Sequence, residues 1–271
     1  PTQVPGRSKR KFAMRGVGAQ ALPLDALLYT ETGKTTMGDV QVGDMIYGAD
    51  GKLAKVTKKS EIFYRPMYRI SLEDGRSIDV SDDHISSIVQ KTIPSRKTGY
   101  KTLYTNMDVT TTELLDMKMF HTRVRNGIEH KERLLFIENC KSLQYEDRAL
   151  RVDPYTLGVF LGDGTIKKNK QSVRITCHND DLVSYQKNIP YELGEVQTDT
   201  RNTNIKTFTI LGIGALVAEL GLQVNSYDKF IPEDYFYGSE NQRISLLQGL
   251  IDSDGTVNKD RGKARFVSTS K

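Results

Sequence analysis

The chain has only two cysteines, Cys140 and Cys177, and no Cys-x-x-Cys. That is too few for a disulfide framework, and a reducing compartment suits it. No long apolar run occurs. The most apolar stretch, Ile210 to Val224, is broken by Glu219 and three glycines, so a membrane span is excluded. The first residues are charged and lack the apolar core of a secretory signal. The first twenty residues contain no acid, yet hold Arg7, Lys9, Arg10, Lys11 and Arg15. Lys and Arg number 39 and Asp and Glu 34, so that short stretch carries the entire excess of +5. The bulk charge therefore says nothing about the body of the chain, and a nucleic-acid argument must rest on local charge. A nucleotide-binding loop is also missing: Gly33-Lys34-Thr35 has Leu28 where the upstream glycine would stand, which leaves a turn.

What is present suits a folded protein. Hydrophobic residues make up 37% of the 271 positions and glycine adds 22 more, an ordinary globular composition. The length predicts about two domains. Residues 1–20 read as a basic tail or linker. From Ala21 to about Leu72, short apolar runs alternate with Gly/Asp turns at the spacing of a small all-β domain. Met67 to Leu72 reads as a strand and Gly75 to Val80 as its hairpin partner. Residues 91–133 are polar and mixed, with helical turns around Thr112 to Met119 and a short strand from Leu134 to Glu138. Near Arg151 the texture shifts to helices separated by alternating strands. Asp153-Pro154 starts a helix, by capping and by the fixed proline backbone. Ser172 to Thr176, Lys206 to Ile210 and Lys263 to Val267 alternate as strands. Gly212 to Leu222 and Asn241 to Asp252 read as helices. The expected division is 1–20, 21–150 and 151–271.

Two helix ends stand out. Thr156 to Gly164 reads TLGVFLGDG, and Leu247 to Gly255 reads LQGLIDSDG. Small residues recur four apart in both, at Gly158/Gly162 and at Gly249/Ser253, so each helix has one bare face on which two backbones can approach. Each ends in Asp-Gly, at Asp163 and Asp254, which lie 91 positions apart. A carboxylate at the negative end of a helix costs about 0.3–1 kcal/mol. Two side by side also repel, so a divalent cation is expected, and Mg²⁺ favours one or two carboxylates with waters and phosphate oxygens. An EF-hand reading of Asp252 and Asp254 fails, because Thr256 and Val257 fill its next positions.

TLGVFLGDG and LLQGLIDSDG resemble the signature helices of LAGLIDADG homing endonucleases, with DKFIPEDY and QRISLLQGL similar to the sequence before the second of them. The resemblance implies an α/β endonuclease domain in which Asp163 and Asp254 hold Mg²⁺ and Lys229 activates water or stabilises charge at phosphate. It also implies double-stranded DNA bound on strand faces. Candidate contacts are Lys167, Lys168, Lys170, Arg174, Lys206, Lys263 and Arg265, with Arg174 opposite Val173 and Ile175, and Lys263 and Arg265 opposite Ala264 and Phe266.

The front half carries a second resemblance. ALPLDALLYTETGKTTMGDVQVGDMIYGADGK and GRSIDVSDDHI are similar to blocks of an intein of the Hint fold, an all-β horseshoe. This implies self-splicing without a cofactor at the Gln20–Ala21 junction. His84 would protonate the departing nitrogen and Ser81 would orient the carbonyl or the imidazole. Ala21 stands where the nucleophile belongs, and a methyl group attacks nothing. The expectation is a blocked splicing precursor with a host-protein tail, either engineered or a natural alanine type. Block and repeat both stop short, so a second chain is expected to complete both domains. The alternatives are a stand-alone endonuclease with a β recognition domain and a non-catalytic DNA-binding module. A cytoplasmic location is expected in each.

Overall fold

A computed structural model describes residues 8–14, 21–166 and 172–270. The chain divides into two compact units, Pro1–Leu143 and Gln144–Lys271.

In chain order the first unit runs β1 (Ser8–Met14), β2 (Ala21–Pro23), β3 (Leu27–Thr30), β4 (Gly33–Thr36), β5 (Met45–Tyr47), β6 (Leu53–Lys55) and β7 (Ile62–Ser71). It continues with β8 (Ser77–Ser81), β9 (Ile85–Thr92), β10 (Leu103–Thr110), α1 (Thr111–Asp116), β11 (Phe120–Arg125), β12 (Ile128–Arg133) and β13 (Leu135–Ile137). The sheets are ordered β2-β1-β7-β8, β4-β3-β5-β6 and β10-β9-β13, and β11 and β12 form a separate ribbon.

Met37, Val40 and Ile46 make a small core with Leu22, Leu24, Ala26, Leu28 and Val56 packed on it. Gly33-Lys34-Thr35 lies in β4, paired with β3, and opens no helix. The basic segment expected to be a tail is in part a strand. β1 pairs with β2 and with β7, from Ser8↔Met67 to Ala13↔Ile62. Ladder hydrogen bonds come from the backbone, so a strand forms there without an apolar period.

The second unit opens with α2 (Pro154–Asp163), β14 (Gly164–Ile166), β15 (Val173–His178), α3 (Asn179–Asn188), β16 (Gln197–Thr198), β17 (Ile205–Ile210) and α4 (Gly214–Glu219). It ends with α5 (Glu240–Asp254), β18 (Gly255–Asn258) and β19 (Lys263–Phe266). One sheet is ordered β14-β15-β17-β16, and β18 and β19 form a two-stranded ribbon.

Its core gathers Leu157, Val159 and Phe160 from α2, Val173 and Ile175 from β15, Phe208 and Ile210 from β17, and Tyr185 from α3. β15 alternates buried and exposed along its length, as a sheet covered on one face does. Asp153 caps α2, its Oδ1 accepting from the Thr156 amide at 2.9 Å and from Thr156 Oγ1 at 2.8 Å. Ser239 and Gln242 form a capping box at the start of α5. The Gln242 side chain also bonds the Arg148 backbone, accepting from its amide at 3.1 Å and donating to its carbonyl at 2.7 Å. Among the described residues, no helix is long and apolar enough to cross a membrane.

Candidate functional site

α2 and α5 pack backbone to backbone. A Cβ on Gly158 would lie 2.3 Å from the Leu246 carbonyl oxygen and 2.9 Å from the Gly249 Cα. One on Gly249 would lie 2.2 Å from the Tyr155 carbonyl oxygen, and one on Gly162 would lie 2.2 Å from Ser253 Oγ. The bare faces seen in the sequence are therefore a contact that admits no side chain. Parallel closure brings the two C-terminal tips together, and the position of a Gly162 Cβ is 3.3 Å from Asp254 Oδ2.

The tips are unlike. Asp254 is exposed. Asp163 is half-buried, and its carboxyl is pushed up to about 6, first by burial, with Asp254 adding to the shift and the Tyr185 hydrogen bond opposing it. Tyr185 Oη shares its one proton between Asp163 Oδ2 at 3.1 Å and the Asp252 carbonyl at 3.2 Å. Asp252 Oδ2 accepts from Tyr155 Oη at 2.8 Å and from Ser184 Oγ at 3.4 Å. A floor of hydroxyl donors thus supports the acids from below. Tyr185 and Ser184 escaped the sequence reading because α3 lacks a clear apolar period.

Lys229 is buried beside them. Its Nζ donates to the carbonyls of Phe160 at 2.9 Å, Leu161 at 3.1 Å and Gly164 at 2.7 Å, and lies 4.8 Å from the centre of the Phe160 ring. All three ammonium protons are committed to carbonyls where α2 gives way to β14, and of these the Phe160 carbonyl also accepts from the Gly164 amide. Lys229 therefore neutralises the negative end of α2, with its own pKa drawn down to about 8 by burial against the pull of Asp254 and Asp163. The positive charge that the acid pair requires is supplied in part by the fold itself. In this arrangement the ammonium holds a helix end and has no free proton for a water.

The raised Asp163 carboxyl has a signed consequence. Its folded pKa exceeds the unfolded value of about 3.9, so the folded state binds the proton more tightly. The stabilisation this proton provides is full below about pH 4 and is lost as pH rises through about 6. Asp163→Asn is expected to lack this loss. Denaturant midpoints of variant and parent should diverge between pH 4 and 6, with the variant the more stable above that window. Parallel curves across the window would refute the assignment.

The expected DNA contacts are scattered. Lys167, Lys168 and Lys170 lie outside the described residues. Arg174 is exposed on β15, directly across from Thr165 and Thr209. Lys206 pairs with buried Cys177 and so points to the other face, where Nζ donates to Thr198 Oγ1 at 2.9 Å. Arg174 and Lys206 are not one surface. Lys263 and Arg265 are exposed on β19, but so are Ala264 and Phe266 on the opposite, apolar face.

In the first unit, Ser81 Oγ donates to Asp83 Oδ1 at 2.5 Å, and Asp83 also pairs with Arg65. His84 is half-buried. Burial holds its imidazole below the ordinary range against the opposing pull of Asp83, and Nδ1 has no hydrogen-bond partner among the described residues. Ala21 begins β2, its backbone paired with Met14, and Gln20 lies outside the described residues.

No protein-family model matches the chain. A replicative DNA helicase DnaB of Mycobacterium intracellulare is 33% identical over 268 residues, covering 95% of this chain and 41% of that protein. A replicative DNA helicase DnaB of Mycobacterium leprae is 41% identical over 81 residues, 30% of this chain and 13% of its own length. The chain thus spans about two fifths of the first relative and much less of the second.

These relatives correct the resemblance drawn from the motifs. Nearly the whole chain aligns with a protein named as a replicative helicase, not as an intein or a LAGLIDADG endonuclease. Self-splicing at Gln20–Ala21, homing-endonuclease activity, a stand-alone endonuclease, a DNA-binding module that is no enzyme and the expected completing chain all find no support in these relatives. Short signature motifs record a helix-pair geometry, and that geometry does not by itself specify an activity.

Proposed function

We propose that this chain is a segment of a DnaB-type replicative DNA helicase, a cytoplasmic enzyme acting on DNA, and that its second unit engages DNA through a Mg²⁺-dependent acidic centre. The alignment of 95% of the chain at 33% identity carries the reading. The chemistry of the helix tips supports the centre. Among the described residues no cluster of three or more His, Cys, Asp or Glu is suited to enclose a metal. Asp163 and Asp254 instead form a pair near enough for Asp254 to raise the Asp163 pKa, and one or two carboxylates are what Mg²⁺ takes while keeping waters and bridging to phosphate. Asp163 and Asp254 would hold the cation, which would relieve their repulsion and accept a phosphate oxygen. Tyr185 fixes the Asp163 carboxylate from below. Lys229 keeps the end of α2 neutral, and Arg174 on the exposed sheet face contributes a phosphate contact.

The test is fluorescence anisotropy of the chain with labelled forked and blunt duplexes, in millimolar Mg²⁺ or in EDTA. Binding should weaken steeply with salt, favour the fork and tighten with Mg²⁺. The Asp163→Asn, Asp254→Asn double variant should lose the Mg²⁺ gain and keep the salt-sensitive remainder. Absence of binding, or equal binding with and without Mg²⁺ in the parent, would refute the proposal.

A further inference from the structure

The β11–β12 ribbon of the first unit is separate from the acidic centre. Its strands are joined by Asn126 and Gly127 alone, at φ 52° and 75°. Two consecutive positive φ values mark the tight turn that matches strand twist in a two-residue hairpin. Among the described residues no third strand pairs with it. Its outer part is exposed on both faces, and Val124 and Ile128 near the tip are 73% and 62% exposed.

The register sorts the side chains. Phe120↔Arg133, Thr122↔Lys131 and Val124↔Glu129 share one face, and His121↔Glu132, Arg123↔His130 and Arg125↔Ile128 share the other. On the second face the one acid, Glu132, sits at the base, held by Lys91 at 2.6 Å and Arg123 at 3.0 Å. Towards the tip that face is Arg123, Arg125, His130 and Ile128, and Arg125 has no ion pair among the described residues. The base is anchored by the Arg133 guanidinium 5.0 Å from the Phe120 ring centre and by the Leu134 amide donating to the Met119 carbonyl at 2.9 Å.

We propose that this ribbon is an arm that enters the major groove of duplex DNA. The proposal rests on the DNA-acting reading above and adds a second site to it. Six-residue strands reach about 20 Å, and the major groove, about 12 Å wide, admits a two-stranded ribbon. Arg123 and Arg125 on the inward face are placed for phosphates lining the groove, and Ile128, across from Arg125 at the tip, suits a thymine methyl. Lys131 on the opposite face, in an exposed pair with Glu129 at 3.8 Å, is placed to exchange that partner for a flanking phosphate. Towards the tip, exposed Val124 and Ile128 stand among Arg123, Arg125 and Lys131, with Glu129 the one acid there, a set that fits a polyanion with an apolar edge.

The experiment measures binding of a labelled mixed-sequence 20-base-pair duplex by the chain across a salt series. It compares the parent, an Arg123→Ala, Arg125→Ala variant and an Arg123→Lys, Arg125→Lys variant, with unfolding midpoints recorded for all three. The alanine pair should bind about tenfold more weakly, with a salt slope shallower by about 1.8, two contacts at about 0.9 each. The lysine pair should restore the slope, and midpoints and the Mg²⁺ response should stay unchanged. Parent-like affinity and slope in the alanine pair overturn the arm and leave the acidic centre standing. A parent that binds no DNA overturns both. Competition by polyglutamate as effective as by unlabelled duplex assigns the ribbon to an acidic protein and overturns the DNA proposal.

Discussion

Gly158→Ala is expected to lower the stability of the second unit by about 2 kcal/mol or more, a midpoint shift on the order of 10 °C. Two effects of opposite sign meet at this position. Alanine is favoured over glycine in a helix interior by about 0.8–1 kcal/mol. Against that, the new methyl would lie 2.3 Å from the Leu246 carbonyl oxygen, 2.8 Å from the Leu250 nitrogen and 2.9 Å from the Gly249 Cα. All three are backbone atoms of α5, so no rotamer change relieves the contact. The helices must separate, and the tips carrying Asp163 and Asp254 separate with them. Overpacking therefore outweighs propensity. Gly194→Ala is the control, since its nearest neighbour would be Thr209 Cβ at 3.6 Å, an ordinary contact. Thermal unfolding of both variants checks the argument, and a Gly158→Ala protein as stable as Gly194→Ala would sink it.

Lys229→Met should cost about 3 kcal/mol. Methionine fills much of the same volume, so packing is largely retained and the loss is electrostatic. Three carbonyls where α2 meets β14 lose the Lys229 ammonium, Phe160's keeping a second donor in the Gly164 amide, and Asp163 loses a nearby cation. The Asp163 carboxyl should then titrate above about 6, visible by carbon-13 NMR of the labelled carboxyl. If stability falls while the Asp163 titration stays in place, Lys229 is a packing residue only. Asp254→Asn, at an exposed tip, should by contrast change stability little.

Strong local signals in the sequence located individual elements well. Asp153-Pro154 marks the start of α2, and the alternation of Ser172 to Thr176 marks β15. Residues 91–133 were opaque because β11 and β12 are exposed on both faces, so neither alternates. Asn126-Gly127 was the available signal, since that pair favours a two-residue hairpin turn. The strand at Ser8–Met14 had no apolar period to announce it.

By itself the sequence determined that α2 and α5 have glycine-bare faces and end in acids. Those facts are local, since they depend on spacing along one helix. Only the tertiary structure decided the electrostatics of the tips. Lys229 reaches α2 from 65 or more positions away, Tyr185 rises beneath Asp163 from a helix without a clear period, and burial separates Asp163 from Asp254 in character. Charge acts through space and dielectric, and neither is written in the order of residues.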